Sequence, residues 1–123
     1  MATSSIYGNE IVVRYTPRGY KNPRAAVQAV NEQFARMIED RARQLVPHDT
    51  WELHDSIYVE ATADGIRLSA GEGLDDGRAR FQEYGFVHYQ TGQFIIHPYA
   101  RPAIEQLKRR YREALKHAIA SSI

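Results

Sequence analysis

His48, Asp49, His54 and Asp55 place two imidazoles and two carboxylates in one short segment, the residue types that hold a divalent cation or assist a hydrolysis. Ser56 follows at once, so a nucleophile, a base and an acid are all present as types. Their spacing argues against both chemistries. No two histidines stand four residues apart, as a helical metal site requires, and no nucleophile-elbow sequence surrounds Ser56. Asp49 has a structural use instead, capping a short helical turn in which Glu52, three residues on, closes a capping box, and Asp55 can turn the chain into a strand. Gly71-Glu72-Gly73 resembles half of a phosphate cradle, yet Glu72, Asp75 and Asp76 would repel a phosphate. The sequence therefore assigns no catalytic residue, metal ligand or cofactor, and the chain is read as something other than an enzyme.

Basic residues form a second candidate. Lys108, Arg109, Arg110, Arg112 and Lys116 crowd the C-terminal segment, opposed only by Glu105 and Glu113, and Arg14, Arg18, Lys21 and Arg24 lie near the start. Arg18, Lys21, Lys108, Arg109, Arg110 and Arg112 are the residues best placed to meet DNA or an acidic partner, although a charge run on a helix is more often a solvated face. The whole chain does not have the field of a dedicated nucleic-acid binder: 16 Lys plus Arg stand against 15 Asp plus Glu, a net charge of +1.

The elements that must position these groups follow from periodicity. At 123 residues with 43% hydrophobic and 25% charged content, the chain fits one globular domain. No cysteine is present, so no disulfide framework forms. No secretory signal and no apolar run of membrane-spanning length is found, and no membrane role is expected. Ile11 to Tyr15 reads as a short strand with no local hairpin mate, part of an N-terminal arm over residues 1–23 whose free strand would add to a sheet edge of its own domain or of a neighbouring subunit. Deletion of residues 1–20 is then expected to leave a folded protein with impaired assembly. The domain proper, 24–123, opens with a helix whose stripe is Val27, Val30, Phe34, Ile38, Ala42 and Leu45, ended by Pro47.

Ile57, Val59 and Ala61, then Ile66, Leu68 and Ala70, alternate with polar residues around Asp64-Gly65. That pattern predicts a β-hairpin with one buried face and a tight turn in which Gly65 takes positive φ. Gly71 to Gly77 is an acidic loop expected to be mobile, Ala79 to Tyr84 a short helix, and Phe86 to Tyr89 with Gln93 to Ile96 two extended pieces about Thr91-Gly92. A long final helix carries Ala103, Ile104, Leu107, Tyr111, Ala114, Leu115, Ala118 and Ile119 on one face. Two one-sided helices over a one-sided hairpin predict an α+β two-layer sandwich, a small antiparallel sheet packed by two long amphipathic helices.

Aromatic residues concentrate between positions 81 and 99, as Phe81, Tyr84, Phe86, Tyr89, Phe94 and Tyr99. Such a stretch suits either a small core or the centre of a protein–protein contact. Ile11, Val13, Tyr15, Trp51, Phe81, Tyr84, Phe86, Tyr89 and Phe94 are the candidates for subunit contact.

The order of these segments resembles the neck, or tail-completion, family of tailed bacteriophages, the gene-product-ten type of head-tail connector, similar to the minor tail protein Z of lambdoid phages. The resemblance spans Arg24 to Ile119 and is carried by Leu45-Val46-Pro47, Asp49-Thr50, Leu53, Ser56-Ile57, Glu83-Tyr84-Gly85, Phe94, Pro98 and Arg101-Pro102-Ala103-Ile104. The family pattern usually has Gly where this chain has Trp51 and Thr where it has Phe86. The resemblance implies a structural virion protein at the head-tail interface, assembled in the host cytoplasm. It further implies a homo-oligomeric ring, a hexamer, between a head-completion or stopper protein and the tail terminator or tail-tube proteins, with genomic DNA passing through the lumen without sequence-specific binding. The tail terminator ring that caps the tail tube is the nearest alternative, and a small DNA-binding protein is the alternative of another class.

Overall fold

A computed structural model describes residues 2–16, 25–48, 51–62, 64–74 and 76–121. β1 (Ala2–Tyr7) and β2 (Glu10–Tyr15) form an antiparallel hairpin with Tyr7 opposite Glu10, closed by Gly8-Asn9, where Gly8 takes φ 61°. β2 then pairs with β4 (Ile66–Ala70), which pairs with β3 (Tyr58–Ala61), so one antiparallel sheet has the order β1-β2-β4-β3.

This corrects the reading of Ile11 to Tyr15 as the strand of a separable arm. The strand has a local mate in β1, and it is a central strand whose Ile11, Val13 and Tyr15 are buried against the helices. Removing residues 1–20 would strip four buried side chains, Ile11, Val12, Val13 and Tyr15, and two strands from the fold. At roughly 2–4 kcal/mol per lost core side chain, that approaches or exceeds the net stability of a small domain, about 5–15 kcal/mol.

The β3–β4 hairpin follows the predicted alternation in part: Ile57, Ile66, Leu68 and Ala70 are buried, Val59 and Ala61 are half-buried, and Ser69, expected on the polar face, is buried as well. Its turn differs from the sequence reading. Ala61 pairs with Ile66, the Thr62 N–H donates to the Gly65 carbonyl at 2.8 Å, and Gly65 is not among the glycines with positive φ. Glycine is needed there for space: a Cβ would lie 1.9 Å from the Tyr15 carbonyl oxygen of the neighbouring strand.

The second layer consists of α1 (Ala25–Leu45) and α4 (Ala100–Ser121), which pack on each other and on the sheet, completing the expected α+β sandwich. α1 buries Val27, Phe34, Ile38 and Ala42, and α4 buries Ala103, Ile104, Leu107, Tyr111 and Leu115. Where the two helices meet, the Phe34 and Tyr111 rings stack with centroids 5.0 Å apart, and the Tyr111 hydroxyl donates to Oδ1 of the buried Asn31. That bond meets the polar demand of the one amide on the α1 stripe. Burial pushes the hydroxyls of Tyr15, Tyr99 and Tyr111 above their ordinary pKa, opposed at Tyr15 by the nearby Arg112 and Lys108 charges.

The two edges of the sheet are treated differently. At the β3 edge, Glu39 of α1 accepts the Val59 N–H at 2.9 Å and Arg43 donates to the Ile57 carbonyl at 2.7 Å. The two side chains also pair with each other at 3.8 Å. The outer edge of β1 has no backbone partner among the described residues.

Candidate functional site

α2 (Glu52–Ser56) and α3 (Arg78–Tyr84) lie outside the helix layer, and α3 leads into a second small sheet, β5 (Phe86–Val87) paired with β6 (Phe94–Ile95). This hairpin is mounted at both ends. On the α3 side, the Gly85 N–H donates to the Phe81 carbonyl at 2.8 Å, and Gly85 takes φ 88°. A Cβ at Gly85 would come within 2.3 Å of the Phe94 ring, so glycine serves both the backbone angle and the approach of the ring.

On the other side the anchor is Glu83. Its side chain is buried, and its carboxylate accepts three backbone N–H groups: Tyr99 at 2.8 Å and Ala100 at 2.7 Å on Oε1, and Arg101 at 3.0 Å on Oε2. These donors lie at the start of α4, where backbone N–H groups have no partner within the helix and the helix dipole favours negative charge. The buried Tyr99 hydroxyl ties the same corner down by donating to the Ala79 carbonyl at 3.0 Å. Arg101, one residue into α4, lays its guanidinium 5.0 Å from the Tyr84 ring centroid and donates to Ser4 Oγ at 3.1 Å.

Between these anchors the chain projects. Val87 pairs with Phe94, so those two side chains share one face of the hairpin, and strand alternation continues that face to Tyr89 and Ile96. All four are exposed: Val87 63%, Tyr89 88%, Phe94 62% and Ile96 45%. Phe86 and Ile95 lie on the other face and are half-buried, with the Phe86 ring 5.9 Å from Phe81. The turn is closed by the His88 N–H on the Gln93 carbonyl and the Gly92 N–H on the His88 carbonyl, both at 2.8 Å.

The proposed contact residues divide. Trp51, Phe81, Tyr89 and Phe94 are exposed, and Tyr84 and Phe86 are half-buried. Ile11, Val13 and Tyr15 are a correction, since their side chains are buried in the core of their own chain. Lys108, Arg109, Arg110 and Arg112 lie on the outer side of α4. Lys108 pairs with Glu105 at 3.0 Å, whereas Arg109, Arg110 and Arg112 have no ion pair among the described residues. Arg18, Lys21 and Asp49 lie outside the described residues.

The histidine-rich segment is arranged ring against ring. His48 stacks on Trp51 at 4.5 Å, and His54 meets both rings edge-on at 5.2 and 5.0 Å. His48 Nε2 donates to the Arg43 carbonyl and His54 Nδ1 to Asp55. Among the described residues no group of three His, Cys, Asp or Glu side chains converges on a metal position. The Ser56 hydroxyl is engaged twice, donating to the Leu53 carbonyl at 2.7 Å and accepting the Gly71 N–H at 2.9 Å. In the acidic loop, Leu74 packs on the core and Asp76 pairs with Arg78, which holds the Asp76 carboxyl below its usual range.

Sequence reasoning did not find the Glu83 cap, nor the exposure of Ile6, Tyr7, Val87 and Ile96. A signal for the cap was present: a glutamate two residues before a glycine, followed by two prolines that bracket a helix start. Compared with known protein families, with curated proteins and with solved structures, the chain has no match.

Proposed function

We propose that the chain is a structural subunit of a tailed-bacteriophage neck, one copy of a hexameric ring that joins the DNA-filled head to the tail. The Glu83 anchor carries the reading. Two of the sequence motifs behind the resemblance, Glu83-Tyr84-Gly85 and Arg101-Pro102-Ala103-Ile104, lie well apart in the chain, and the carboxylate bonds join them into one unit. What the unit holds out is an apolar hairpin face, a surface suited to contact with another protein.

Trp51 agrees with the same resemblance. It stands where the family pattern has glycine, and it is the one described non-glycine residue with positive φ, at 64°. The backbone there is of the kind glycine favours. In a ring, one face of each subunit meets a different face of the next, so the exposed hairpin needs a distinct receiving surface on the neighbour. Genomic DNA would pass the lumen against cationic side chains, for which Arg109, Arg110 and Arg112 are the available groups.

Gold-labelled antibody against the chain, applied to phage particles that incorporate it, is expected to mark the head-tail junction, and the purified protein is expected to form closed rings in negative stain. Label confined to the tail tip or the capsid, or a protein that binds sequence-specific DNA as a monomer, would overturn the proposal.

A further inference from the structure

The two edges of the sheet differ. Glu39 and Arg43 engage the Val59 N–H and the Ile57 carbonyl along the β3 edge, whereas the outer edge of β1, Ala2–Tyr7, has no backbone partner among the described residues. Natural proteins guard a free edge with lysine, proline or a bulge. β1 has none of these: it reads Ala-Thr-Ser-Ser-Ile-Tyr in unbroken register with β2, and its Ile6 and Tyr7 are exposed at 46% and 56%. Beside that edge, between the sheet and α4, a groove of about 360 Å³ is lined by Ser4, Val13, Arg101, Ile104 and Glu105, apolar at its floor and charged at its rim.

The β5–β6 hairpin has the opposite need. Two residues per strand make a ladder too short to be stable alone, and a third strand with an apolar face is the usual remedy. The charge distribution matches the two features. In a chain that is 25% charged, the two longest stretches without Asp, Glu, Lys or Arg are 1–9 and 84–100, which contain β1 and the hairpin. No like-charge contact would oppose their meeting.

We infer that the β5–β6 hairpin of a second copy of this chain adds to the outer edge of β1, extending the four-stranded sheet, with side chains from its Val87–Tyr89–Phe94–Ile96 face entering the groove beside Ile104. Backbone hydrogen bonds supply the attachment and the groove supplies the side-chain selection, as in other strand additions. The contact is head-to-tail, because edge and hairpin are different surfaces, and it rests on the ring proposed above for its closure.

The test uses the full chain and two surface variants, Ile6→Lys at the edge and Val87→Lys on the hairpin, both at exposed positions, with circular dichroism to verify the fold. In native mass spectrometry the wild type is expected to assemble, each variant alone to run as a single subunit, and an equimolar mixture to give a two-subunit species through the one intact edge and the one intact hairpin. Rings that persist in both variants would overturn this contact while leaving the ring standing. Open chains or two-membered assemblies of wild type that both variants break up would uphold the contact and remove the ring. A Val87→Lys protein that still dimerises, or a mixture that stays single, would show that β1 does not receive the hairpin, and a wild type that stays single would overturn contact and ring together.

Discussion

Replacing Glu83 separates the anchor from the surface it holds. Glu83 is 3% exposed, and its carboxylate accepts three N–H groups at 2.7–3.0 Å. Glu83→Ala removes every acceptor and leaves those donors at a buried helix start. Loss of a helix cap alone costs about 1 kcal/mol, and each hydrogen bond to a charged group is worth roughly 1.5–3 kcal/mol, although bonds to one carboxylate do not add fully and water can enter the space. An overall loss of about 3 kcal/mol follows, which for a chain of 123 residues lowers Tm by roughly 12 °C.

Glu83→Gln keeps the shape and one acceptor oxygen. It loses the second oxygen and turns an amide NH2 toward a backbone N–H, so a loss of about 1–2 kcal/mol is expected. Urea denaturation followed by circular dichroism gives both values. Two results would refute the reasoning: an alanine variant within 0.5 kcal/mol of wild type, roughly the effect of an ordinary surface substitution, or a glutamine variant less stable than the alanine one.

The two hairpin-turn glycines separate space from angle. Gly65→Ala, with its Cβ 1.9 Å from a backbone oxygen, should cost more than about 2 kcal/mol, whereas Gly8→Ala, with φ 61° and open space, should cost only about 1–2 kcal/mol in a denaturant titration. Trp51→Gly should be more stable than Trp51→Ala by about 1 kcal/mol, since both lose the ring contacts and only glycine relieves the left-handed backbone; equal midpoints would contradict this. Of the eight tyrosines, Tyr15, Tyr99 and Tyr111 have raised folded-state pKa values, so the stability they contribute is present below pH 10 and is lost as pH rises beyond it; absorbance near 295 nm should show these three titrating only as the fold is lost, and a single ordinary titration of all eight with the fold intact would contradict their burial. Glu39→Ala uncovers the Val59 N–H and should cost about 1–2 kcal/mol while raising light scattering, because it opens the edge that α1 now seals.

The elements with strong periodicity were legible in the sequence. α1 and α4 bury the faces their spacing predicts, and the β3–β4 pair does so in part, because one-sided apolar patterns have few ways to leave water. β1 was not legible. Thr3, Ser4 and Ser5 give no apolar alternation, and the strand exists because β2 offers it a ladder across Gly8-Asn9. Its absence from the sequence reading made Ile11 to Tyr15 look partnerless and turned core residues into supposed contact residues. Gly65 was placed in a turn correctly, but its reason, a close approach to the Tyr15 carbonyl, belongs to a contact between strands far apart in sequence. Glu83 was hidden for a related reason. A glutamate in a short helix reads as solvated, and only the fold brings the donors, 16 to 18 residues on, to its oxygens.

The aromatic stretch shows what composition alone leaves open. Tyr99 is fully buried, Phe86 and Tyr84 are half-buried, and Tyr89 and Phe94 are largely exposed, so core and surface uses are interleaved within one segment. The interleaving has a physical requirement. A two-residue ladder cannot hold an exposed apolar face in position, and the order has to come from the ends. The Phe94 ring over Gly85 fixes one end, and the Glu83 carboxylate with the Tyr99 hydroxyl fixes the other, at the start of the longest helix. A buried carboxylate is costly unless its oxygens are fully engaged, and here three amides and the helix dipole offset that cost. A neutral cap could accept N–H groups at the same helix start but would lack the dipole contribution, so a carboxylate ties α3 to α4 more firmly than a neutral side chain would. In the head-to-tail contact proposed above, a face anchored at both ends would lose less freedom on docking than a loose one.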